Sequence, residues 1–210
     1  MATERFEKLS QDKKQRILEA AREEFARVPY DEASINKIIK NAGISRGSFY
    51  TYFEDKNDLL RYIFCDEEEK NRQFLKELVL THQGNFWDAI TEWVEKVAYY
   101  LKEGSVQQRI NIFTQSGIMR RIVDWGEAHK GLKESKEQEQ LKWFKEHLDF
   151  TNIDIKDDEK FAAMIKATHT IAGFTVLNLI ISPQSDEEKI LKEFKLQIDI
   201  LRYGSEKNSG

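Results

Sequence analysis

The 210-residue chain is short of the residues that cross-link or punctuate a fold. It has one cysteine, Cys65, which excludes an internal disulfide framework and any multi-cysteine zinc site. It has two prolines and ten glycines, which excludes collagen-like and low-complexity architectures. It has no excess of positive charge. With 33 basic residues against 37 acidic ones the net charge is −4, which taken alone argues against a nucleic-acid partner. Long apolar runs are also missing. The longest, residues 171–181, has about half the length needed to span a bilayer and contains Asn178. The start, MATERFEKLSQDKKQ, lacks the apolar segment of a secretory signal. The expectation is a cytoplasmic protein in a reducing compartment, with no membrane partner.

What is present is an ordinary globular mixture, 33% charged and 40% hydrophobic. Abundant Glu, Lys, Leu and Ile without period-2 alternation predict an all-α fold. Residues 10–28 read as a helix with Ile17, Leu18, Ala21 and Phe25 on one face, stopped before Pro29. Ser34 and Ser45 open two short helices, 34–41 and 45–53, separated by Ala42-Gly43-Ile44. Asp55 opens a long helix to about residue 80. Its apolar stripe is interrupted by DEEEKNRQ, residues 66–73, as expected of a helix bridging two packed bodies. Further helices are expected at 85–102, 105–116, 118–130, 134–150, 157–181 and 186–203. Ser185-Asp186-Glu187-Glu188 reads as a capping box for the last of them. The domains expected are 1–58, 59–204 and a polar, frayed tail, 205–210.

Residues 34–56, SINKIIKNAGISRGSFYTYFEDK, match a helix-turn-helix: two short helices joined by a glycine turn. The segment resembles the DNA-binding region of the tetracycline-repressor (TetR) family of bacterial regulators. The residues that carry the resemblance are Ser34, Ile38, Ala42-Gly43-Ile44-Ser45, Gly47-Ser48-Phe49-Tyr50, Tyr52-Phe53 and Lys56. Ile17, Ala20, Ala21 and Phe25 precede them at the family spacing. The likeness covers about residues 10–62, and beyond it only helix number and length agree. Two positions depart from the family pattern: Ile39 stands for a small alanine, and Pro29-Tyr30 for Gly-Tyr.

The resemblance implies an N-terminal three-helix DNA-binding domain joined by the long helix to a C-terminal ligand-binding and dimerisation domain. For DNA, Ser34 and Lys37 suit phosphate by hydroxyl and charge, and Ser45 caps the recognition helix. Gly47 and Ser48 are small enough for close approach to the groove. Base readout falls to Arg46, Ser48, Thr51 and Asn36, since arginine suits guanine and asparagine suits adenine. The resemblance gives Tyr52 and Lys56 a phosphate each, and Tyr50 a phosphate or a thymine methyl. Lys37, Lys40, Arg46 and Lys56 face only Glu54 and Asp55 within this segment. The acidic excess therefore belongs to residues 63–210.

All four tryptophans lie in the C-terminal part. By family analogy, Trp93, Val97, Phe113, Trp125, Phe144 and His169 would line a pocket for an apolar or aromatic inducer. Such aromatics also serve simply as core. The last two helices would form a homodimer through Ala163, Ala167, Gly173, Ile190, Phe194, Ile198 and Leu201. Two recognition helices about 34–36 Å apart would then read a near-palindromic operator in double-stranded DNA. His82, His129, His147 and His169 lack metal-ligand spacing, and Cys65 reads as a small buried residue. No cofactor, metal site or catalytic constellation is expected. The combined reading is a homodimeric repressor released by a small molecule, an activator being the less common form in the family. The alternative is a helical sensor or scaffold without operator-specific binding.

Overall fold

The structure is a computed structural model that describes residues 2–102, 130–153 and 157–204. Among them the regular elements are helical. The expected helices at 105–116 and most of 118–130, and the tail from 205, lie outside the described residues. The chain divides into two units, parting between Asn71 and Arg72.

The first unit opens with a short helix, α1 (Glu4–Glu7), capped by Thr3. The sequence pattern does not predict it. Helix α2 (Gln11–Arg27) buries Ile17, Leu18, Ala21 and Phe25, and ends where Val28 turns extended ahead of Pro29. Helix α3 (Ile35–Ala42) stops at Gly43, whose φ of +65° is the left-handed conformation that glycine accepts without Cβ strain. The N–H of Ile44 bonds back to the Ile39 carbonyl at 3.1 Å and closes the turn. Helix α4 (Arg46–Tyr52) is capped by Ser45, which accepts from the Ser48 N–H at 3.0 Å. Asp55 accepts from the Asp58 N–H at 2.7 Å at the head of α5 (Lys56–Thr81).

One core unites these helices. Phe6, Phe25, Phe49 and Phe53 are fully buried in it, with Leu59 and Leu60 of α5. Each such ring contributes about 1.5–3 kcal/mol by area, an upper figure because unfolded chains already bury part of it. Ile39, the bulkier departure from the family pattern, packs half-buried at the core's margin. The acidic run is more than a solvated face. Asp66 and Glu67 hold the buried Arg22 of α2 at 3.2 and 2.8 Å. Cys65 is exposed rather than buried, because the inward stripe of α5 runs through Ile63 and Phe64 and the next residue turns outward. The same first turns of α5 explain why the units part at residue 71 and not at 58. Leu59, Leu60, Ile63 and Phe64 belong to this core.

The second unit takes the end of α5, α6 (Phe86–Tyr100), α7 (Lys130–His147), α8 (Asp158–Ile181) and α9 (Glu187–Tyr203). Helices α8 and α9 pack on each other and both on α6. Asn85 caps α6 and Asp157 caps α8. Helix α8 is long and apolar enough to cross a membrane by length and composition, which the 171–181 run alone did not suggest. One flank of it lies inside the unit: Phe161, Met164, Ile165, Thr168, Ala172 and Thr175 are buried. The buried hydroxyls of Thr168 and Thr175 are satisfied by carbonyls one turn back, at 2.9 Å each. The capping box expected at Ser185 does not form. Pro183 starts a 3-10 turn, Gln184–Asp186, and Asp186 enters α9 in helical conformation without a side-chain cap.

Candidate nucleic-acid interface

The outer face of the first unit is set by what α4 hides. Phe49 and Tyr52 point into the core, which leaves Arg46, Gly47 and Tyr50 exposed on the opposite side. Helix α3 adds the exposed Asn36 and Lys37. Two charged side chains fix the start of α3. The Glu24 carboxylate accepts the Ser34 N–H at 2.9 Å and is clamped by Arg27 at 2.7–2.9 Å. Burial alone would raise the Glu24 carboxyl, but the Ser34 N–H and the Arg27 guanidinium outweigh it and hold it below its ordinary value. Ser34 opens α3 with its backbone and makes no side-chain capping bond.

The second such side chain is Lys56. Its ammonium donates to the carbonyls of Tyr30, Asp31 and Ala33 at 2.8, 3.0 and 3.3 Å, and lies 4.6 Å from the Tyr30 ring centre. An ammonium has three donors, and all three are engaged. In the structure Lys56 therefore staples the α2–α3 connection, where the family likeness gives it a phosphate. Tyr52 departs from expectation in the same way. It is 8% exposed, with its ring 5.8 Å from Phe6.

Of the expected DNA contacts, the structure brings three together. Arg46 Nη1 donates to Asn36 Oδ1 at 2.9 Å, and Arg46 lies over the Tyr50 ring, 5.6 Å from its centre. Nη2 also makes a long 3.5 Å contact with the Tyr50 hydroxyl. Ser48 and Thr51 are turned inward on their own helix. The Ser45 and Ser48 hydroxyls share a 2.8 Å bond, and Thr51 Oγ1 donates to the Gly47 carbonyl at 2.9 Å. A Cβ on Gly47 would meet nothing closer than Ser45 Oγ at 3.8 Å, so the smallness of Gly47 serves the outside and not the packing.

The sequence pattern missed the residues that hold α4 in place. Thr3 donates from its N–H to the Tyr52 carbonyl at 3.0 Å and from Oγ1 to the Thr51 carbonyl at 2.8 Å. These are two of the orphan carbonyls at the end of the recognition helix. Phe6 sits beneath, 4.6 Å from Phe53 and 5.0 Å from Tyr62. The available signal was an apolar Phe6 and Leu9 in an otherwise polar stretch, with a hydroxyl three residues before Phe6.

In the second unit, Phe113 and Trp125 of the expected pocket lie outside the described residues. Phe144 is fully buried core, Val97 is half-buried, and Trp93 packs against the core. The buried indole N–H groups of Trp87 and Trp93 have no acceptor among the described residues. His169 is half-buried, with its ring 6.1 Å from Phe144. Burial, and then the charge of Arg72, hold its imidazole below the ordinary value. A separate open trough of about 530 Å³ is lined by His82, Thr91, Glu92, Lys96 and other polar side chains, and by none of the expected pocket residues. Glu92 bonds Lys96 at 3.0 Å and His82 at 2.5 Å there.

The dimer residues divide. Ala163 and Gly173 are exposed, and Ala167, Ile190 and Leu201 half-buried. Phe194 and Ile198 are 1% and 4% exposed, inside this unit's own core. They face α6 and α8 and offer nothing to a second chain, so the outward face of α9 is a different one. It carries Leu196, Ile200 and Tyr203, and α8 exposes Phe174, Leu177 and Ile181.

A buried-backed recognition helix with Arg46, Asn36 and Tyr50 gathered on its exposed side defines a helix-turn-helix DNA-binding protein. A family model described as "Bacterial regulatory proteins, tetR family" matches residues 17–63. A second, "Tetracyclin repressor-like, C-terminal domain", matches residues 85–205. The chain belongs to the TetR family of transcriptional regulators and is not an enzyme. It is 28% identical over 146 residues to the uncharacterized HTH-type transcriptional regulator YdgC of Bacillus subtilis, covering 68% of this chain and 73% of that one. It is 35% identical over 71 residues to the fatty acid metabolism regulator protein of Bacillus subtilis, covering 34% and 35%. A solved TetR family transcriptional regulator from Chloroflexus aurantiacus aligns over 97% of this chain and 98% of its own, at 20% identity and a TM-score of 0.39.

Proposed function

We propose that the protein is a homodimeric, cytoplasmic repressor that leaves a near-palindromic operator when a small apolar or aromatic molecule binds its C-terminal unit. The observation that carries the dimer is the pair of exposed apolar stripes. Phe174, Leu177 and Ile181 recur at i, i+3 and i+7 on α8, and Leu196, Ile200 and Tyr203 at i, i+4 and i+7 on α9. Apolar rows of this kind on packed helices favour association with a like surface. One recognition helix spans too few base pairs for useful specificity, so two are needed. Arg46, bonded to Asn36, reads bases, and Ser34 and Lys37 hold phosphate. Trp93, with a buried indole N–H at the margin of the core, supports an inducer that is apolar and carries an acceptor. Helix α5 contributes to both cores, so a shift of it on ligand binding would reach the reading head. The coupling is reciprocal: operator DNA must weaken inducer binding by the same factor.

The test is selection from a random duplex pool with the full chain, followed by light scattering of the protein–DNA complex. The expected result is a two-fold symmetric site bound by two chains. An asymmetric site bound by one chain counts against the dimer. A reporter placed behind the selected site should be silent with the protein present. Activation of that reporter would reverse the regulatory sign.

A further inference from the structure

We infer that Asn36 is a specificity-determining partner of Arg46. By holding the guanidinium it makes the pair a guanine reader, and it masks an adenine preference of its own. This rests on the reading of α4 as the helix that meets base edges. The two side chains come from different helices, α3 and α4, and meet at 2.9 Å on the exposed face. The Tyr50 ring lies on one side of the guanidinium and limits its swing.

The chemistry of the junction decides what it can read. A free asparagine reads adenine with two groups: its carbonyl accepts from N6 and its amine donates to N7. Here Oδ1 is already bonded to a cation. An adenine amine approaching that oxygen would meet the donors and positive charge of Arg46. What the pair turns outward is N–H: the amine of Asn36 and the guanidinium hydrogens not used on Asn36 or Tyr50. A donor-only surface complements guanine, whose major-groove edge presents two acceptors, O6 and N7. It rejects adenine and cytosine, each of which presents an amine there. Asn36 is thus a positioning residue while Arg46 is present and a reader when it is absent.

The test compares base preference, which a merely structural role would not redirect. Full-length wild type, Arg46→Ala, Asn36→Ala, Asn36→Asp and the double Arg46→Ala/Asn36→Ala variant are each selected against the same random duplex pool. Wild type should prefer guanine at one position of each half-site. Arg46→Ala should turn that position to adenine, and the double variant should lose the preference. Asn36→Ala should weaken the guanine preference by about tenfold. Asn36→Asp keeps an oxygen facing the guanidinium but turns an acceptor outward in place of the amine, so it should admit adenine or cytosine beside guanine at that position. With wild-type protein alone, 7-deazaguanine at the selected position should lower affinity by about tenfold, since N7 is lost. A flat or still guanine-selective Arg46→Ala variant, or indifference to 7-deazaguanine, overturns the inference while leaving DNA binding intact. Failure of the wild type to enrich any sequence overturns the DNA reading itself, and the inference with it.

Discussion

At Lys56 the ammonium bonds three backbone carbonyls of the segment that leads into α3. A lysine so engaged acts on the geometry of the head and not on the charge of DNA. Lys56→Met should cost about 2 kcal/mol in urea unfolding, since three charge-assisted bonds to backbone carbonyls are lost. The salt slope of DNA binding should stay unchanged, whereas removal of a true phosphate contact lowers it by about 1. Glu24 belongs to the same layer. Its carboxyl is held below the ordinary value in the folded state, so its stabilisation is present above the unfolded value and lost as pH falls from there through the lower folded value. Between about pH 5 and 3, thermal unfolding of wild type should fall more steeply than that of Glu24→Gln. Parallel curves would remove Glu24 from the acid response.

At the scale of the element, α1 matters more than its four residues suggest. Thr3 closes the C-terminal carbonyls of α4, and Phe6 is fully buried beneath it. Thr3→Ala should cost about 1 kcal/mol, and Phe6→Ala about 3–5 kcal/mol because a ring-sized cavity opens. Both should weaken operator binding without changing which bases are selected, a separation that a binding-site selection would read directly. The turn between α5 and α6 carries a second local constraint. Gly84 has φ +87°, and a Cβ there would lie 2.6 Å from the Asp149 N and 2.7 Å from the His147 carbonyl oxygen. The Gly84 carbonyl also accepts the Asp149 N–H at 2.9 Å. Gly84→Ala meets backbone on two sides and should lower the melting temperature by several degrees, with a loss of about 2 kcal/mol or more.

For the whole molecule, the outward stripes on α8 and α9 carry the prediction. Leu196→Asp with Ile200→Asp leaves the buried Phe194 and Ile198 untouched and places charge on the exposed row. The variant should run as a folded monomer by light scattering. Its operator affinity should fall by roughly a hundredfold, because the second head no longer binds as a tethered partner. A variant that stays dimeric would move the interface elsewhere. The net charge of −4 belongs to the same scale. With few cations on the reading head, non-specific duplex binding should be weak, with a shallow salt dependence, because few counterions are released.

The long helices of the described chain were legible because each carries several turns of apolar residues at helical spacing, interrupted in α5 only by residues 66–73. Helices α2, α5, α8 and α9 lie within a residue or two of their expected bounds. The helix-turn-helix was legible for the same local reasons: Gly43 must turn and Ser45 must cap. What the linear pattern could not show is which of several chemically suitable partners a side chain meets. Lys56, Tyr52 and Phe194 suit phosphate or a partner chain by type, and tertiary packing turns all three inward. Asn36 and Arg46 are each base readers by type, and only the approach of α3 to α4 makes them a single unit. By itself the sequence determined the helices, the reading motif and the family, because those depend on neighbours within a few turns. The tertiary structure decided which polar groups are used up inside the protein and which remain for DNA, because that depends on contacts between segments far apart in the chain.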